Sequence, residues 1–421
     1  MPLTRRHFLQ ATGLAAGGTA LTACGGGQAE KTATPLSVYS WWTGGGEEAG
    51  LKALVEDFRK NNPDVKFVNE AVAGGAGDAA RKKLASRLAA GNPPDTFQGH
   101  AGAELNGYIE AGQLEDISFL YVEEGWRQVL PVSLRSLISD GATSYSVPVN
   151  VHRANMMWHS PKVLERAGVS DVPTTFDALL EAMDRVKAAG AAPLALGEQW
   201  TVQHLLETVL LGVLGPRDYG KLWTDRLGWE SGRTRDALET FDAVLDFGGT
   251  YAPGRTWQAA SKQLADGRAA FQIMGDWVDA YLGRDLSLTP KKDYHWSPVP
   301  QTAGAYQFLS DSFVLPKGAA HREAALAWLR TCGSRSGQQA FNVKKGSIPA
   351  RTDTDPAPYG PYLQWALSQW RTDEIVGSLT HGVVAKNEWV ADIGTALGGF
   401  LKRRNVPAFQ EALARAADKH I

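Results

Sequence analysis

Whatever chemistry this chain performs must come from its aromatic rings and a handful of polar residues: its 421 residues include 14 tryptophans. A flat indole can lie against the axial C–H face of a pyranose, while the sugar hydroxyls need polar partners around the rim. Trp41-Trp42 closes an alternating stretch. Strand alternation would send one ring into the core and the other toward a cleft at the carboxyl edge of a sheet, where open α/β sheets hold ligands. Glu47 and Glu48 open the following helix, where a carboxylate can accept from a ligand or simply answer the helix dipole. Gln98 and His100 follow a short strand and can donate or accept, although a surface turn would use such a histidine equally well. Signatures of metal or nucleophilic chemistry are missing. There is no His-Glu-x-x-His, Cys-x-x-Cys, phosphate-loop lysine motif or Gly-x-Ser-x-Gly, and the nine histidines lack metal-ligand spacing. Gly74-Gly75-Ala76-Gly77 has no accompanying lysine and reads as a loop that admits close backbone approach.

These residues need a scaffold, and the hydrophobic pattern supplies one. Leu36-Ser37-Val38-Tyr39-Ser40-Trp41 alternates as a strand. The next segment puts Leu51, Leu54, Val55 and Phe58 on one helical face, stops at Asn61-Asn62-Pro63, and leads into the strand Val65-Lys66-Phe67-Val68. A second helix spans Asp78 to Ala90 with Leu84 and Leu88 inward, and Asn92-Pro93-Pro94-Asp95 turns the chain into the strand Thr96-Phe97-Gln98. Thr174 is the expected cap of a helix that buries Phe176, Leu179, Leu180, Met183 and Val186. Ala237, Leu238, Phe241, Val244 and Leu245 form another stripe, and the last helix carries Phe409, Ala412, Leu413 and Ala416. Strand–helix–strand order favours a parallel sheet covered by helices. The expected class is α/β, in two lobes.

The amino end concerns location. Arg5-Arg6 precedes an apolar run from Ala11 to Ala23, well short of the ~20 residues that cross a bilayer. Thr4-Arg5-Arg6-His7-Phe8-Leu9 resembles a twin-arginine export signal, and Leu21-Thr22-Ala23-Cys24 resembles a lipobox that makes Cys24 the lipidated first residue. The expectation is a signal peptide over 1–23, then a lipidated Cys24 and flexible tether over 24–35. Cleavage would lower the net charge from -2 to -4, since it removes Arg5 and Arg6 and no acidic residue. Such a surface has no electrostatic reason to bind nucleic acid or anionic lipid. Cys332 is the other cysteine, so no internal disulfide is available; it reads as a small core residue near a helix end.

Several segments, in order, resemble the extracellular solute-binding proteins of carbohydrate ABC transporters. They are Gly91-Asn92-Pro93-Pro94-Asp95, Ser146-Val147-Pro148-Val149-Asn150-Val151, Leu164-Glu165-Arg166-Ala167-Gly168 with Val172-Pro173-Thr174-Thr175-Phe176-Asp177, Leu264-Ala265-Asp266-Gly267-Arg268, Met274-Gly275-Asp276-Trp277 and Gly346-Ser347-Ile348-Pro349-Ala350. The resemblance covers nearly the whole mature chain. Within that family it is strongest to glucose/galactose-binding members of thermophilic bacteria, through Ser40-Trp41-Trp42, Thr96-Phe97-Gln98-Gly99-His100-Ala101, Leu309-Ser310-Asp311-Ser312-Phe313 and Val376-Gly377-Ser378-Leu379-Thr380-His381-Gly382.

The resemblance implies a periplasmic-binding-protein-like fold with a hinge and an interlobe cleft. The ligand residues it implies are Trp42, Glu47, Gln98, His100, Trp257, Trp277, Asp311, Lys345 and His381. An extra glycine in Gly44-Gly45-Gly46 leaves Glu47 and Glu48 as alternatives. In that set Trp42 and Trp257 would stack, Glu47 and Asp311 would accept from hydroxyls, Lys345 would donate, and Gln98, His100 and His381 would do either. Crossings near 147–150, Asp311 and Gly377 would divide the chain into 36–149 with 312–376 and 150–311 with 377–421. The implied function is that of a monomeric, membrane-tethered periplasmic or cell-surface receptor, without cofactor or metal. It would deliver glucose or galactose to a membrane permease. An oligosaccharide receptor of the same fold is the first alternative, and a secreted glycoside hydrolase using Glu47, Asp276 and Asp311 is the second.

Overall fold

The computed structural model describes residues 33–73, 77–249 and 254–421. The expected signal peptide, Cys24, most of the tether and the Gly74-Gly75-Ala76 loop lie outside the described residues. Among the described residues, no helix is long and apolar enough to cross a membrane.

Two main sheets organise the chain. In the first, the strand order is Val65–Asn69, Thr34–Tyr39, Thr96–His100, Asp311–Val314, Ser146–Pro148. The first three strands run parallel, as strand–helix–strand order demands, and Asp311–Val314 enters antiparallel with Asp311 opposite His100 and Phe313 opposite Gln98. Leu51, Leu54, Val55 and Phe58 of the helix Gly45–Asn61 are buried, as their spacing requires. Cys332 is buried near the end of the helix Arg322–Gly333. The second sheet runs His295–Pro298, Met156–His159, Ala269–Ile273, Ala192–Leu194. A smaller sheet of Glu374–Gly377, Ala305–Leu309 and His152–Arg153 lies on the path between them.

The chain passes between sheets at Val149–Val151 and again at Ser310. The two passages are fastened to each other: the Ser310 hydroxyl donates to the Asn150 carbonyl at 2.6 Å, and the Asp311 amide donates to Asn150 Oδ1 at 2.8 Å. The helix Pro361–Trp370 falls inside the segment assigned to the first lobe, yet its Tyr362 packs on Trp158 and Trp296 of the second sheet, with ring centres 5.1 and 5.5 Å apart. Tyr362, Leu363 and Ala366 of this helix also belong to the buried cluster that holds Leu36, Val38, Phe97 and Phe313 of the first sheet.

Helix caps show a smaller difference. Thr175, not Thr174, caps the helix Phe176–Ala188, its Oγ1 accepting from the Ala178 amide at 3.2 Å. An N-cap side chain accepts from the amide two or three residues ahead, and Thr175, directly before the first helical residue Phe176, reaches Ala178 in this way.

Candidate functional site

A cavity of about 300 Å³ lies where the ends of the first-sheet strands meet helix starts from the other side. Eight of the nine residues expected to bind ligand line it: Trp42, Glu47, His100, Trp257, Trp277, Asp311, Lys345 and His381. They come from eight different elements or loops, and sequence separation between them reaches hundreds of residues.

Asp311 is the hub. It begins its strand, is almost fully buried, and accepts from Gln98 Nε2 and Asn150 Nδ2, each at 2.7 Å, on its two carboxylate oxygens. Burial alone would raise its pKa. Lys345, His100, His152 and the Asn150 hydrogen bond outweigh burial and hold the carboxyl below the usual range. Gln98 is therefore placed behind the cavity wall, not on it. Its carbonyl accepts from the Trp41 amide at 3.2 Å while its amide fixes Asp311, so it positions the hub.

Glu47 stands in the first turn of Gly45–Asn61 at the cavity mouth, 3.8 Å from Lys345 Nζ. Glu48 is exposed and does not line the cavity, so of the two alternatives Glu47 is the one that faces in. Desolvation pushes the Glu47 carboxyl up to about 7; Lys345 draws it down and Asp311 raises it further. Its side chain keeps 31% of its surface exposed, so cleft water softens that desolvation. Lys345 closes the helix Arg335–Lys345, and Gly346 follows with φ +81°, where a Cβ would meet Ala280 Cβ at 2.4 Å. This close approach brings Lys345 up to the opposite wall.

The tryptophan pair differs from the alternation rule. The strand ends at Tyr39, so Trp41 and Trp42 lie beyond the pleat, and both line the cavity. Trp42 is also packed into the core, 4.7 Å from Phe341 and 5.5 Å from Phe313 by ring centres, while Trp41 tilts over His100 at 5.0 Å. Across from them, Trp257 begins the helix Trp257–Ala265 behind its Thr256 cap, and Trp277 begins Trp277–Ala280. Trp257 is half-buried; Trp277 is buried with its edge 5.3 Å from His381.

Trp200 and His152 also line the cavity and were not singled out from the sequence. Trp200, in the first turn of Gln199–Lys221, donates from Nε1 to Glu198 at 2.8 Å and lies 6.3 Å from Trp277. His152 directly follows the Val149–Val151 crossing, and its Nδ1 contacts Asp276. Trp41 was read only as the partner of Trp42. Asp276 itself is fully buried, accepting also from the Arg153 amide at 2.9 Å, and does not line the cavity. That removes it from the carboxylate set a glycoside hydrolase would need.

One group of potential metal ligands emerges among the described residues: His204, Glu207 and His381 place ligand atoms within 4.8 Å of one another. No spacing in the sequence announced it. The Glu207 oxygens already accept from the Leu379 and Thr380 amides and the Ser378 hydroxyl, so the cluster is built as a hydrogen-bond network.

The fold and site define a two-lobed solute-binding protein. Residues 43–339 match the bacterial extracellular solute-binding protein family, and the chain belongs to it. The chain is 31% identical over 411 residues to an ABC transporter extracellular-binding protein of Pyrococcus horikoshii, covering 94% of this chain and 92% of that one. It is 34% identical over 322 residues to a probable sugar-binding periplasmic protein of Mesorhizobium japonicum, covering 76% of each. Among solved structures, a bacterial solute receptor with a preference for β-D-galactopyranose superposes with a TM-score of 0.80 at 16% identity, over 92% of this chain and 98% of that one. These are non-enzymatic receptors, and the hydrolase alternative falls with them.

Proposed function

We propose that this chain is the sugar receptor of an ABC importer and that it encloses a monosaccharide, D-glucose or D-galactose, in the 300 Å³ cavity. The observation that carries this reading is the pairing of aromatic faces with a charged rim in a small cleft. Trp257 and Trp277 offer indole surface to the C–H face of a pyranose, Asp311 and Glu47 accept from hydroxyls, and Lys345 donates. The volume is at the lower end of ligand pockets, which run roughly 300–1,000 Å³. The sugar class also follows the description of the M. japonicum relative. Closure of the two lobes about the crossings at Val149–Val151 and Ser310 would exclude water and present the closed form to a membrane permease. The same proposal includes export under the leader at 1–23, lipid attachment at Cys24 and action as a monomer outside the cytoplasmic membrane.

A second reading keeps the receptor and lengthens the ligand. A larger cavity of about 1340 Å³ adjoins the first and shares Glu198 and Trp200 with it. Isothermal titration with D-glucose, D-galactose, D-mannose and maltose separates the two. One-to-one saturation by glucose or galactose with maltose inert is the expected result; tighter maltose binding would favour the oligosaccharide reading, and no heat with any of them would overturn both.

A further inference from the structure

Beneath the cavity floor, a buried carboxylate is wired to a lining histidine. Glu207, on the helix Gln199–Lys221, has no exposed surface and belongs to no ligand set the sequence suggests. The amides of Leu379 and Thr380 donate to its Oε2 at 2.6 and 2.9 Å, and the Ser378 hydroxyl lies 3.0 Å from each of its oxygens. The same hydroxyl oxygen lies 2.9 Å from His381 Nδ1 and accepts from the His381 amide at 3.3 Å.

A serine hydroxyl has a single proton, and the assignment of that proton decides the rest. The Ser378 hydroxyl lies 3.0 Å from both Glu207 oxygens, and two amide donors already fix Oε2 as an acceptor, so the Ser378 proton points at Glu207. Its oxygen is then left to accept, and His381 Nδ1 must be the donor. A neutral imidazole carries one N–H, so the other nitrogen, Nε2, is bare. Burial, together with the nearby His100, His204, His152 and Arg81, keeps His381 well below its ordinary pKa and therefore neutral. With Nδ1 turned back to Ser378, Nε2 is the nitrogen turned toward the cavity that His381 lines.

We propose that Glu207, acting through the Ser378 hydroxyl, holds the His381 proton on Nδ1, so that His381 meets the ligand as a hydrogen-bond acceptor at Nε2. Glu207 and Ser378 are positioning residues and His381 is the contact. Two neighbours follow the same plan: His100 Nδ1 faces Glu104 Oε2 at 2.9 Å, and His152 Nδ1 contacts Asp276. Each lining histidine has a buried acid behind it, and this second shell fixes which nitrogen faces the site, as it does for histidines elsewhere. The consequence is selectivity by donor. A ligand must present a hydroxyl to Nε2, and an ether, fluoro or deoxy group there leaves a buried acceptor unpaired.

The inference rests on the sugar reading above, and the test keeps the two apart. Nitrogen-15 spectra of the imidazole-labelled full chain, with the His381 signals assigned by their loss in His381→Gln, report the tautomer with no sugar present. The expected result is protonated Nδ1 and bare Nε2 in the wild type, a mixed tautomer in Ser378→Ala and Glu207→Gln, and restoration in Ser378→Thr, which keeps the hydroxyl. Protonated Nε2 in the wild type, or a tautomer unmoved in both variants, overturns the proposal. Titration with D-glucose and its monodeoxyfluoro analogues then reads the consequence, because fluorine removes the donor at one position at a time. One analogue should bind the wild type at least about tenfold more weakly than glucose, with that gap closing to about threefold or less in Ser378→Ala. An unchanged gap in the variant overturns the role of the relay. Failure of glucose and galactose to bind the wild type overturns the sugar reading instead, while the spectra still decide the tautomer.

Discussion

The two walls of the cavity are built on different principles. On the first-sheet side stand Glu47, His100, Asp311 and Lys345; Asp311 is held by Gln98 and Asn150 from distant parts of the chain, and His100 by Glu104 four residues on. On the other side Trp200, Trp257 and Trp277 each stand in the first turn of a helix. The aromatic wall is set by local geometry: once a helix starts, the ring at its start has its place. The charged wall is set by agreement among strands, since Asp311 works only if Gln98 and Asn150 arrive together. A charged group in such a place tolerates change poorly, because removing one partner leaves others buried and unsatisfied. An aromatic face at the mouth can lose area without stranding anything.

The largest expected effect follows from that contrast. Asp311→Asn should weaken sugar binding about one-hundredfold, the scale of a lost charge-assisted bond plus a donor set against the Gln98 and Asn150 donors. It should also lower stability, and the wild-type contribution has a defined sign. A carboxyl held below its unfolded pKa stabilises above that pKa, and the contribution fades as pH falls through the folded value. Titration calorimetry and thermal unfolding read the two effects. On the other wall, Trp257→Ala should cost about tenfold in affinity and lower the melting temperature less than Asp311→Asn does, because the ring is half-buried at the edge of the core, 5.5 Å from Tyr281 by ring centres. A larger loss for Trp257→Ala than for Asp311→Asn would reverse the assignment of the two walls.

Glu47 and Asp311 sharpen the comparison within one wall, since their pKa values shift in opposite directions. Glu47 is lifted to about 7 by desolvation, so it binds its proton more tightly in the folded state and costs stability as pH rises through that range. Sugar hydroxyls donate to the ionised form, so affinity should rise with pH, about fivefold between roughly pH 6 and pH 8. Glu47→Gln should flatten the profile. A slope that survives in Glu47→Gln would belong to Glu207, which burial also lifts to about 7 despite its three donors.

Parts of this arrangement could be read from the chain and parts could not, for physical reasons. The stripe of Leu51, Leu54, Val55 and Phe58 is legible because one face of that helix is solvated. The helix Gln199–Lys221 is buried without interruption from Thr201 to Gly212, so it has no solvated face in that stretch to set an apolar period; Trp200 at its start went unread for that reason. The ligand set came from resemblance, and the geometry explains why residues alone could not supply it. Gln98 and Asp311 are 213 positions apart, yet they share a hydrogen bond across paired strands. Nothing local distinguishes Gln98, which stands behind the wall, from His100, two residues on, which stands in it.

The smallest effect tests whether the aromatic side is as local as it looks. Thr175 caps the helix Phe176–Ala188, whose buried residues pack in the core around the second sheet and which contributes no residue to the cavity. Thr175→Ala should lower stability by about 1 kcal/mol through the lost bond to the Ala178 amide. Thr174→Ala should change nothing, since that exposed side chain caps no helix. Neither substitution should alter glucose affinity if the tryptophans are placed by their own helix starts. A weakening of binding in Thr175→Ala, measured well below the melting transition, would mean that the packing of the second core sets the position of the aromatic wall. The two walls would then share one construction principle, with cooperative support on both sides of the ligand.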